Sequence, residues 1–303
     1  MRVAIIANPA AGTAKEGSHA EDAAHQLSAR GHEVVVHVTE APRHAERLAG
    51  DAVEAGADLV VAAGGDGTLN EVLNGVARRG GLPRCALAIL PAGTGNDFAR
   101  ALQVDSPDAA LAALLDGHER RLDVVALGDR LFLNASAGGF TAATSALVTS
   151  DLKQTVGRLA YVIGGARAFL EYEPVAARIE AGGRAIEMDL QLFAVCNGAY
   201  IGGGHQLAPT ARPDDGEMEV CLVRAGSTLD FLTLLPRLSS GDHVGDEDVT
   251  YFRAREVRLT FARPIKVNTD GEVIDASACH YVMGAGAVRF VTPRAWIMEG
   301  AGS

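Results

Sequence analysis

The sequence lacks the features that mark several protein classes. Its 303 residues include only four cysteines, which lie far apart and form no Cys-x-x-Cys pair. A zinc site and a secreted disulfide framework are therefore not expected, and a reduced cytoplasmic chain is the simplest interpretation. No stretch approaches 18 apolar residues, and Asn8-Pro9 ends the apolar start, so we expect neither a membrane span nor a cleavable signal peptide.

Basic residues are too few for a general nucleic-acid binder. The 27 lysines and arginines are outnumbered by 38 acidic residues, which gives a net charge of −11. Action on lipids at a membrane stays open, because local patches can matter more than the total charge. The motifs His-Glu-x-x-His, Gly-x-Ser-x-Gly and Gly-Lys-Ser/Thr are also missing, so zincin, triad and P-loop chemistry find no support.

What the chain does have is the composition of a globular protein with a core, since 48% of its residues are apolar. The first 125 residues alternate short apolar runs with helical patterns, without the in/out alternation of a half-exposed strand. This pattern predicts a parallel sheet covered on both faces. The predicted strands are 3–7, 33–38, 59–63 and 86–90, and the predicted helices are 16–30, 43–55 and 68–79.

After about residue 125 the pattern changes to short strands joined by turns, and Gly182-Gly183 indicates a hairpin. A mostly antiparallel β domain is therefore predicted. No Ser/Pro-rich linker separates the two parts, so we expect them to pack closely. The predicted strands are 123–127, 131–134, 175–181, 186–195, 217–223, 257–261, 265–268 and 287–291, with helices at 155–170 and 228–238.

The strongest motif is Gly64-Gly65-Asp66-Gly67-Thr68-Leu69-Asn70-Glu71, between a predicted strand and a helix. Glycines let the backbone approach a ligand, and a helix N-terminus adds partial positive charge, so the loop suits phosphate. The acid is explained if Mg²⁺ lies between Asp66 and the phosphates. The alternative is a turn with a capping box formed by Thr68 and Glu71, which leaves three glycines around one acid unexplained.

Two further loops follow predicted strands. The run from Pro91 to Arg100 contains Gly93-Thr94-Gly95-Asn96-Asp97, and parallel strands would place it beside the first loop at one cleft. An ordinary loop with Asp97 as a helix N-cap is the alternative. Asn8-Pro9-Ala10-Ala11-Gly12 ends the first strand at the same edge, with Lys15 beyond, and a strand-ending turn with a solvated lysine explains it equally well.

Together the three motifs resemble the bacterial diacylglycerol kinase catalytic-domain family, the soluble lipid kinases that include sphingosine and ceramide kinases. The resemblance covers essentially the whole chain in length and order. It implies an α/β nucleotide domain with a Rossmann-like parallel sheet of the NAD kinase and diacylglycerol kinase type. It also implies a mostly antiparallel C-terminal β-sandwich and a tail that returns to the first domain. The implied domains are 1–125 plus 293–303, and 126–292.

The resemblance also implies the nucleotide contacts. Thr39 matches a threonine that precedes a His-Ala pair, and Asp66 and Asp97 match acids near the phosphates. Asp66 is also given a catalytic role. The residues implied to bind ATP are Asn8, Thr39, Gly64, Gly65, Asp66, Gly67, Thr68, Leu69, Asn70, Gly93, Thr94, Asn96 and Asp97.

Two motifs of the β domain resemble further family features. The run 208–217 resembles a structural Mg²⁺ segment, with Asp215 binding through its side chain and Arg212 and Glu217 through backbone oxygens. Read alone, Pro-Asp-Asp-Gly predicts a tight turn, and turns also offer carbonyls to hard cations. Asp270-Gly271-Glu272 resembles the family's Asp-Gly-Glu, whose Glu is the general base. Read alone, it is a hairpin turn with Glu272 on a rigid strand, where a base needs to be.

The expected activity is ATP- and Mg²⁺-dependent phosphorylation of a lipid hydroxyl in phospholipid metabolism, with diacylglycerol as the default substrate. NAD kinase and a nucleotide-binding regulatory protein without turnover are the alternatives. The expected setting is cytoplasmic with peripheral membrane association, and a homodimer through the β domain is common in the family. Two basic sets are candidates for meeting the membrane, although solvated faces explain both: Lys153, Arg158 and Arg167, or Arg253, Arg255, Arg258, Arg263 and Lys266.

Overall fold

The computed structural model describes residues 1–11, 16–92, 95–139 and 173–296. The helix predicted at 155–170 lies outside these ranges, as do Gly93, Thr94 and the basic set of Lys153, Arg158 and Arg167. In the described part of the chain, no helix is both long enough and apolar enough to cross a membrane.

The four apolar runs of the N-terminal part form parallel strands in the order β4-β3-β1-β2. β3 and β4 are buried along their whole length, whereas β2 lies at the sheet edge and is only partly covered. The helices between them confirm the predicted alternation. The bounds are β1 (Arg2–Ala7), α1 (Glu16–Ala29), β2 (Glu33–Val38), α2 (His44–Glu54), β3 (Leu59–Gly64), α3 (Asp66–Arg78) and β4 (Ala86–Pro91).

The remaining strands continue the same sheet instead of forming a separate one. Among the described strands beyond β4, β13 pairs in parallel with β4 and all other pairs are antiparallel. The elements are α4 (Asp97–Ala101), α5 (Pro107–Asp116), β5 (His118–Leu127), β6 (Arg130–Phe132), β7 (Ala135–Gly139), β8 (Val175–Ala181), β9 (Arg184–Cys196), β10 (Met218–Arg224), α6 (Thr228–Ser240), β11 (Val249–Ala254), β12 (Glu256–Thr269) and β13 (Glu272–Thr292).

The two strands predicted at 257–261 and 265–268 are in fact one strand, β12. Its pairing with β13 shifts register between Thr260 and Ile265. Pro264 lies in that interval and has no N–H to donate, so the irregularity falls where a proline is tolerated. The Gly182-Gly183 hairpin is confirmed, since Ala181 pairs with Arg184 and both glycines have positive φ.

β13 runs for 21 residues, although only 287–291 were predicted as a strand. Its first part pairs with β12, and its last part pairs with β5 and with β4. Beyond it, the indole N–H of Trp296 donates to Ala101 O at 3.0 Å, within the core of the N-terminal part. The chain therefore returns to the first lobe along this strand, while the domain boundaries themselves stay a prediction.

Within the described ranges, the buried apolar side chains form three clusters. One fills the N-terminal part around β1, β3 and β4, and two lie on opposite faces of the antiparallel strands. β9 shows the division, because Phe193 and Val195 join one cluster while Leu192 and Ala194 join the other. The second of these faces is covered by α6, through Phe231, Leu234 and Leu238.

The contact between α2 and α3 requires a glycine at position 75. A Cβ added there would lie 2.1 Å from Glu46 O and 3.0 Å from Ala49 Cβ, so the backbones would have to separate. We expect Gly75→Ala to lower the free energy of unfolding by about 2 kcal/mol because of this overpacking. Chemical denaturation measures the change.

Gly50, on the facing helix α2, is the matched control. A Cβ there would lie 3.4 Å from Arg79 Cγ and 3.5 Å from Arg79 Nε and from Gly75 O, all ordinary van der Waals distances. Gly50→Ala should be neutral or raise stability by up to about 1 kcal/mol, since alanine favours helix over glycine. Equal effects of the two substitutions would show that close approach at Gly75 does not set the packing.

Candidate active site

The loops after β1, β3 and β4 lie together at the carboxyl edge of the parallel strands. Asn8, after β1, donates its side-chain amide to Thr68 Oγ1 at 3.0 Å. Ala92, after β4, donates its N–H to Gly64 O at 3.0 Å, and Thr39, after β2, donates its N–H to the end of β1 at 2.8 Å. The described parts of the three sequence motifs are therefore neighbours in space.

The turn from β3 into α3 leaves its helix N-terminus available. α3 begins at Asp66, and its N-cap Gly65 offers no side chain to the first backbone N–H groups. Gly64 is required by close approach, because a Cβ there would lie 2.4 Å from Thr68 Oγ1. The Asp66 carboxylate takes its own N–H, and the following N–H groups of this turn, with the positive end of the helix dipole, suit an anionic ligand.

The capping-box alternative for this motif is wrong. α3 starts at Asp66 with Gly65 as its N-cap, three residues earlier than a box with Thr68 as N-cap would require. The Glu71 carboxylate instead accepts the backbone N–H of Arg43 at 3.0 Å and of Ala45 at 3.1 Å, at the start of α2. Glu71 thus joins α3 to the loop that follows β2.

Two carboxylates face each other across the loops. Asp66 accepts the N–H groups of Asp97 at 2.9 Å and Phe98 at 3.1 Å, and so caps α4. Burial raises the pKa of Asp66; these two hydrogen bonds oppose the shift, while the nearby Asp97 carboxylate adds to it. The N-cap position of α4 belongs to Asn96 instead of Asp97. Asp97 is therefore not the N-cap of this helix, which was the alternative interpretation of the residue.

The surroundings of Asp97 suit a cation. One carboxylate oxygen accepts the N–H of Gly203 at 2.8 Å, and the other is buried without a partner among the described residues. A Cβ at Gly95 would lie 3.6 Å from Asp66 Oδ2 and 3.9 Å from Asp97 Oδ2, so no side chain fills that position. An orphaned carboxylate oxygen beside a second carboxylate fits Mg²⁺, which prefers hard oxygen ligands.

The hairpin turn between β12 and β13 packs against the glycine-rich loop. Asp270 and Gly271 both have positive φ, and a Cβ added to Gly271 would lie 3.7 Å from Gly67 Cα. The Asp270 carboxylate is buried and accepts three backbone N–H groups, those of residues 133 to 135, at 2.8 to 3.1 Å. Burial raises the pKa of Asp270 to about 6, against the effect of these hydrogen bonds. This turn fixes where the next residue, Glu272, begins its strand.

Glu272 is held by two arginines that sequence analysis missed. Its carboxylate lies 3.0 Å from Arg43 Nη2 and 2.8 Å from Arg130 Nη2. Arg130 also pairs with Glu46 at 2.7 Å, which links β6 to α2. Arg43 lies 229 residues from Glu272 along the chain, so local sequence carries no signal for this pair.

Some residues of the motif have packing roles. Leu69 is buried in the N-terminal core. Asn70 donates its amide to Leu131 O at 3.0 Å, and Asn74, which was not singled out from sequence, donates to the same oxygen at 2.9 Å. The side chains of Leu69 and Asn70 therefore anchor α3, which leaves only their backbone groups available to a ligand.

Two known protein domains match the chain, one in each half. Residues 2–127 match the diacylglycerol kinase catalytic domain. Residues 135–292 match the YegS C-terminal NAD kinase beta sandwich-like domain. A diacylglycerol kinase of Bacillus subtilis (strain 168) is 31% identical over 273 residues, 89% of each chain.

The chain belongs to the diacylglycerol kinase family of lipid kinases. A Pseudomonas aeruginosa (strain UCBPP-PA14) protein named Probable lipid kinase YegS-like is 36% identical, with 87% of this chain and 86% of that one covered. A diacylglycerol kinase structure from Bacillus anthracis str. Sterne has a TM-score of 0.73 at 23% identity, and covers 98% of both chains. A second structure from that organism has a TM-score of 0.81 at 24% identity, with 98% and 96% covered. At these identities the two structures show the fold alone.

In this lipid kinase, the turn of the β domain that was predicted to bind Mg²⁺ is paired with the guanidinium cation of Arg253. Asp215 accepts the N–H of Glu217 at 3.1 Å and pairs with the guanidinium of Arg253. Arg253 also lies 3.3 Å from the Glu217 carboxylate and 3.4 Å from that of Glu219. Because Arg253 pairs with these carboxylates, the side chains in this arrangement do not fit an additional Mg²⁺. The ligand set of Arg212, Asp215 and Glu217 stays a prediction that requires Arg253 to move.

Two buried acids near this turn were missed by sequence analysis. Asp123 accepts the N–H groups of Gly216, at 2.7 Å, and of Gly286, and burial raises its pKa. Glu219 is 1% exposed, burial raises its pKa, and one of its oxygens has no partner in the described part of the chain. Over the described ranges, no group of three or more His, Cys, Asp or Glu side chains is arranged to hold a metal ion.

Removing the Arg253 charge should expose how much the turn depends on it. Arg253→Met leaves the carboxylates of Asp215, Glu217 and Glu219 without their shared cation. We expect the free energy of unfolding to fall by about 1–2 kcal/mol, since part of the cluster is solvent-exposed. Millimolar Mg²⁺ should restore part of the loss by binding the vacated carboxylates.

Thermal unfolding with and without Mg²⁺ or a chelator measures both effects, and Arg255→Met, at an exposed neighbour, is the control. A wild-type protein that loses stability on chelation would contradict the assignment of Arg253 as the cation of this turn. An Arg253→Met protein as stable as the control would contradict it too.

Proposed function

We propose that this lipid kinase transfers the γ-phosphate of ATP to the hydroxyl of diacylglycerol, which makes phosphatidic acid in phospholipid metabolism. The single observation that carries the proposal is the contact between the Asp270-Gly271 turn and Gly67. It brings a loop that suits phosphate, a pair of acids and a partly exposed glutamate to one place. Phosphoryl transfer needs these parts together: anion-binding donors, carboxylates for a metal and a base for the acceptor.

ATP would bind at the carboxyl edge of a Rossmann-like parallel sheet. The N-terminus of α3 and the backbone of residues 64–70 would hold its phosphates, as in other loops that follow a buried strand. Asn8 and Thr39 lie at the same edge and complete its polar lining. Gly93 and Thr94 are assigned by family resemblance and lie outside the described residues, whereas Asn96 is the N-cap of the adjoining α4.

Mg²⁺ would be held by Asp66 and Asp97. The orphaned oxygen of Asp97 and the open position at Gly95 support this assignment. When bound, the ion neutralises negative charge that develops on the phosphates. The protein's own contribution is to keep both carboxylates in place, through the bonds that Asp66 accepts from α4 and that Asp97 accepts from Gly203.

Glu272 would act as the general base. It begins β13 directly after a turn that is fixed by three backbone hydrogen bonds to Asp270. Its carboxylate is about one-third exposed, so it is reachable from outside. A base on a rigid strand can meet the lipid hydroxyl in a constant position and take its proton as the phosphate is transferred.

NAD kinase is the weaker enzyme alternative. The β domain matches a NAD kinase sandwich-like domain, but the relatives that cover most of the chain are named diacylglycerol kinase or lipid kinase. A nucleotide-binding protein without turnover would not need both the acid pair and Glu272. Phosphatidylglycerol, a sphingoid base, a glycolipid or an undecaprenyl-like alcohol could use the same loops, so the lipid itself must be tested.

The protein would meet its lipid substrate at the membrane surface, by associating peripherally with the membrane from the cytoplasm. The second basic set lies on or beside β12, where Arg255, Arg258, Arg263 and Lys266 are exposed. Several members have partners: Lys266 lies 3.4 Å from Asp275, and Arg253 pairs with the acidic turn. Any attraction to anionic lipid would therefore come from the rest of the set. A homodimer through the β domain is also proposed from family resemblance alone.

Glu272→Gln and Asp66→Asn should each remove turnover and leave the fold intact. Loss of a general base typically costs about 10²–10⁴-fold in rate, and we expect that range for Glu272→Gln. The assay is transfer of label from γ-labelled ATP to defined lipids in mixed micelles, with NAD as a parallel acceptor. Glu256→Gln is the matched control, because Glu256 is an exposed glutamate of the partner strand β12.

Label in NAD and in no lipid would overturn the proposed function. Label in lipid together with near-normal activity of Glu272→Gln would overturn only the base assignment. Circular dichroism and thermal unfolding of each variant separate lost chemistry from lost fold.

A further inference from the structure

Arg43 occupies a backbone conformation that does not suit arginine. It is the N-cap of α2 with φ 62° and ψ 9°, in the left-handed region, and its side chain makes no capping hydrogen bond. A non-glycine residue there carries conformational strain that glycine would avoid. Strain of this kind tends to persist where a side chain is needed for function.

The Arg43 side chain reaches into the proposed active site. Its guanidinium lies 3.0 Å from the carboxylate of Glu272. Its backbone N–H is held at 3.0 Å by Glu71, on the helix that starts with Asp66. Arg43 therefore lies between α3, whose N-terminus is proposed to bind phosphate, and β13, which carries the proposed base.

The two arginines at Glu272 differ in exposure and in how firmly ion pairs hold them. Arg130 has a 16% exposed side chain and is anchored by Glu46 at 2.7 Å, and Glu46 is itself paired with Arg78 at 2.9 Å. The Arg43 side chain is 61% exposed, and within the described residues its guanidinium is ion-paired with Glu272. One arginine can hold the Glu272 carboxylate in place while the other exchanges partners.

We propose that Arg43 contacts the phosphoryl group during transfer, an inference that rests on the proposed kinase function. The Arg43 guanidinium leaves Glu272 for the γ-phosphate when both substrates are bound, and Arg130 keeps Glu272 positioned. The lipid hydroxyl oxygen then forms a bond to the γ-phosphorus as its proton passes to Glu272. The bond from the γ-phosphorus to the bridging oxygen breaks, and that electron pair leaves with ADP.

A guanidinium is chemically suited to this role. It presents several fixed N–H donors that match phosphate oxygens, and it stays protonated throughout. Donors aimed at charge that develops during transfer act on the rate rather than on substrate binding. The proposal therefore predicts an effect on kcat more than on KM.

Arg43→Gly gives a test that separates function from fold. Glycine relieves the strained backbone, so the Tm should stay the same or rise, while kcat for lipid phosphorylation should fall by about 10²-fold with little change in the KM for ATP. Arg43→Lys should keep part of the activity, and added guanidinium ion should partly restore Arg43→Gly. Arg47→Met, at an exposed arginine of the same helix that pairs with Asp51, is the control and should match the wild type.

Each other outcome overturns the proposal in a recognisable way. Equal kcat in wild type and Arg43→Gly shows that Arg43 does not touch the reacting phosphate. Parallel loss of kcat and Tm, or a change confined to KM, shows a structural or binding role instead. If the wild type labels no lipid at all, the proposed function fails first, and Arg43 loses its assigned role with it.

Discussion

The packing of one hairpin turn on one glycine holds the proposed site together. A Cβ added to Gly67 would lie 3.8 Å from Asp270 O, and one added to Gly271 would lie 3.7 Å from Gly67 Cα, so the turn and the loop are in van der Waals contact. The Asp270 carboxylate fixes this turn from behind by accepting backbone N–H groups of residues 133 to 135. The loop that suits phosphate and the strand that carries Glu272 come from distant parts of the chain, and this contact sets the spacing between them.

Charge within the site depends on the same arrangement. Burial raises the pKa of Asp270 to about 6, and the Asp66 carboxylate across the contact adds to that rise. Arginines balance the nearby Glu272 and Glu46, and a separate arginine balances the acidic turn at Asp215. Some of the 38 acidic residues are therefore committed to local ion pairs and to the proposed metal site. The total says little about what the surface attracts.

Local sequence was sufficient for features that depend on neighbours in the chain. The parallel strands β1, β3 and β4, the loops at their ends, and the hairpins at Gly182-Gly183 and Asp270-Gly271 follow from apolar runs and turn residues. It was insufficient wherever long-range pairing decides. β13 is one strand of 21 residues because three different partners extend it, and no periodicity within the strand announces them.

The same limit applies to the site. Glycines and acids of a loop can be recognised from their order, whereas Arg43 and Arg130 become functional candidates only because folding places them against Glu272. Asp123 and Glu219 are buried acids with partners far away in sequence, Gly216 for Asp123 and Arg253 for Glu219, so their burial could not be inferred from neighbouring residues. The capping-box interpretation of Thr68 and Glu71 failed for a related reason: α3 starts three residues earlier than the box requires, and Glu71 binds the start of another helix, α2.

The central claim is that one cleft holds both the nucleotide loops and the base. A crystal structure of the protein with Mg²⁺ and a non-hydrolysable ATP analogue tests it most directly. The account predicts phosphates on the Gly64–Asn70 backbone, Mg²⁺ at Asp66 and Asp97, and the γ-phosphate facing Glu272. A nucleotide bound elsewhere, or a γ-phosphate turned away from the Asp270-Gly271 hairpin, would contradict it.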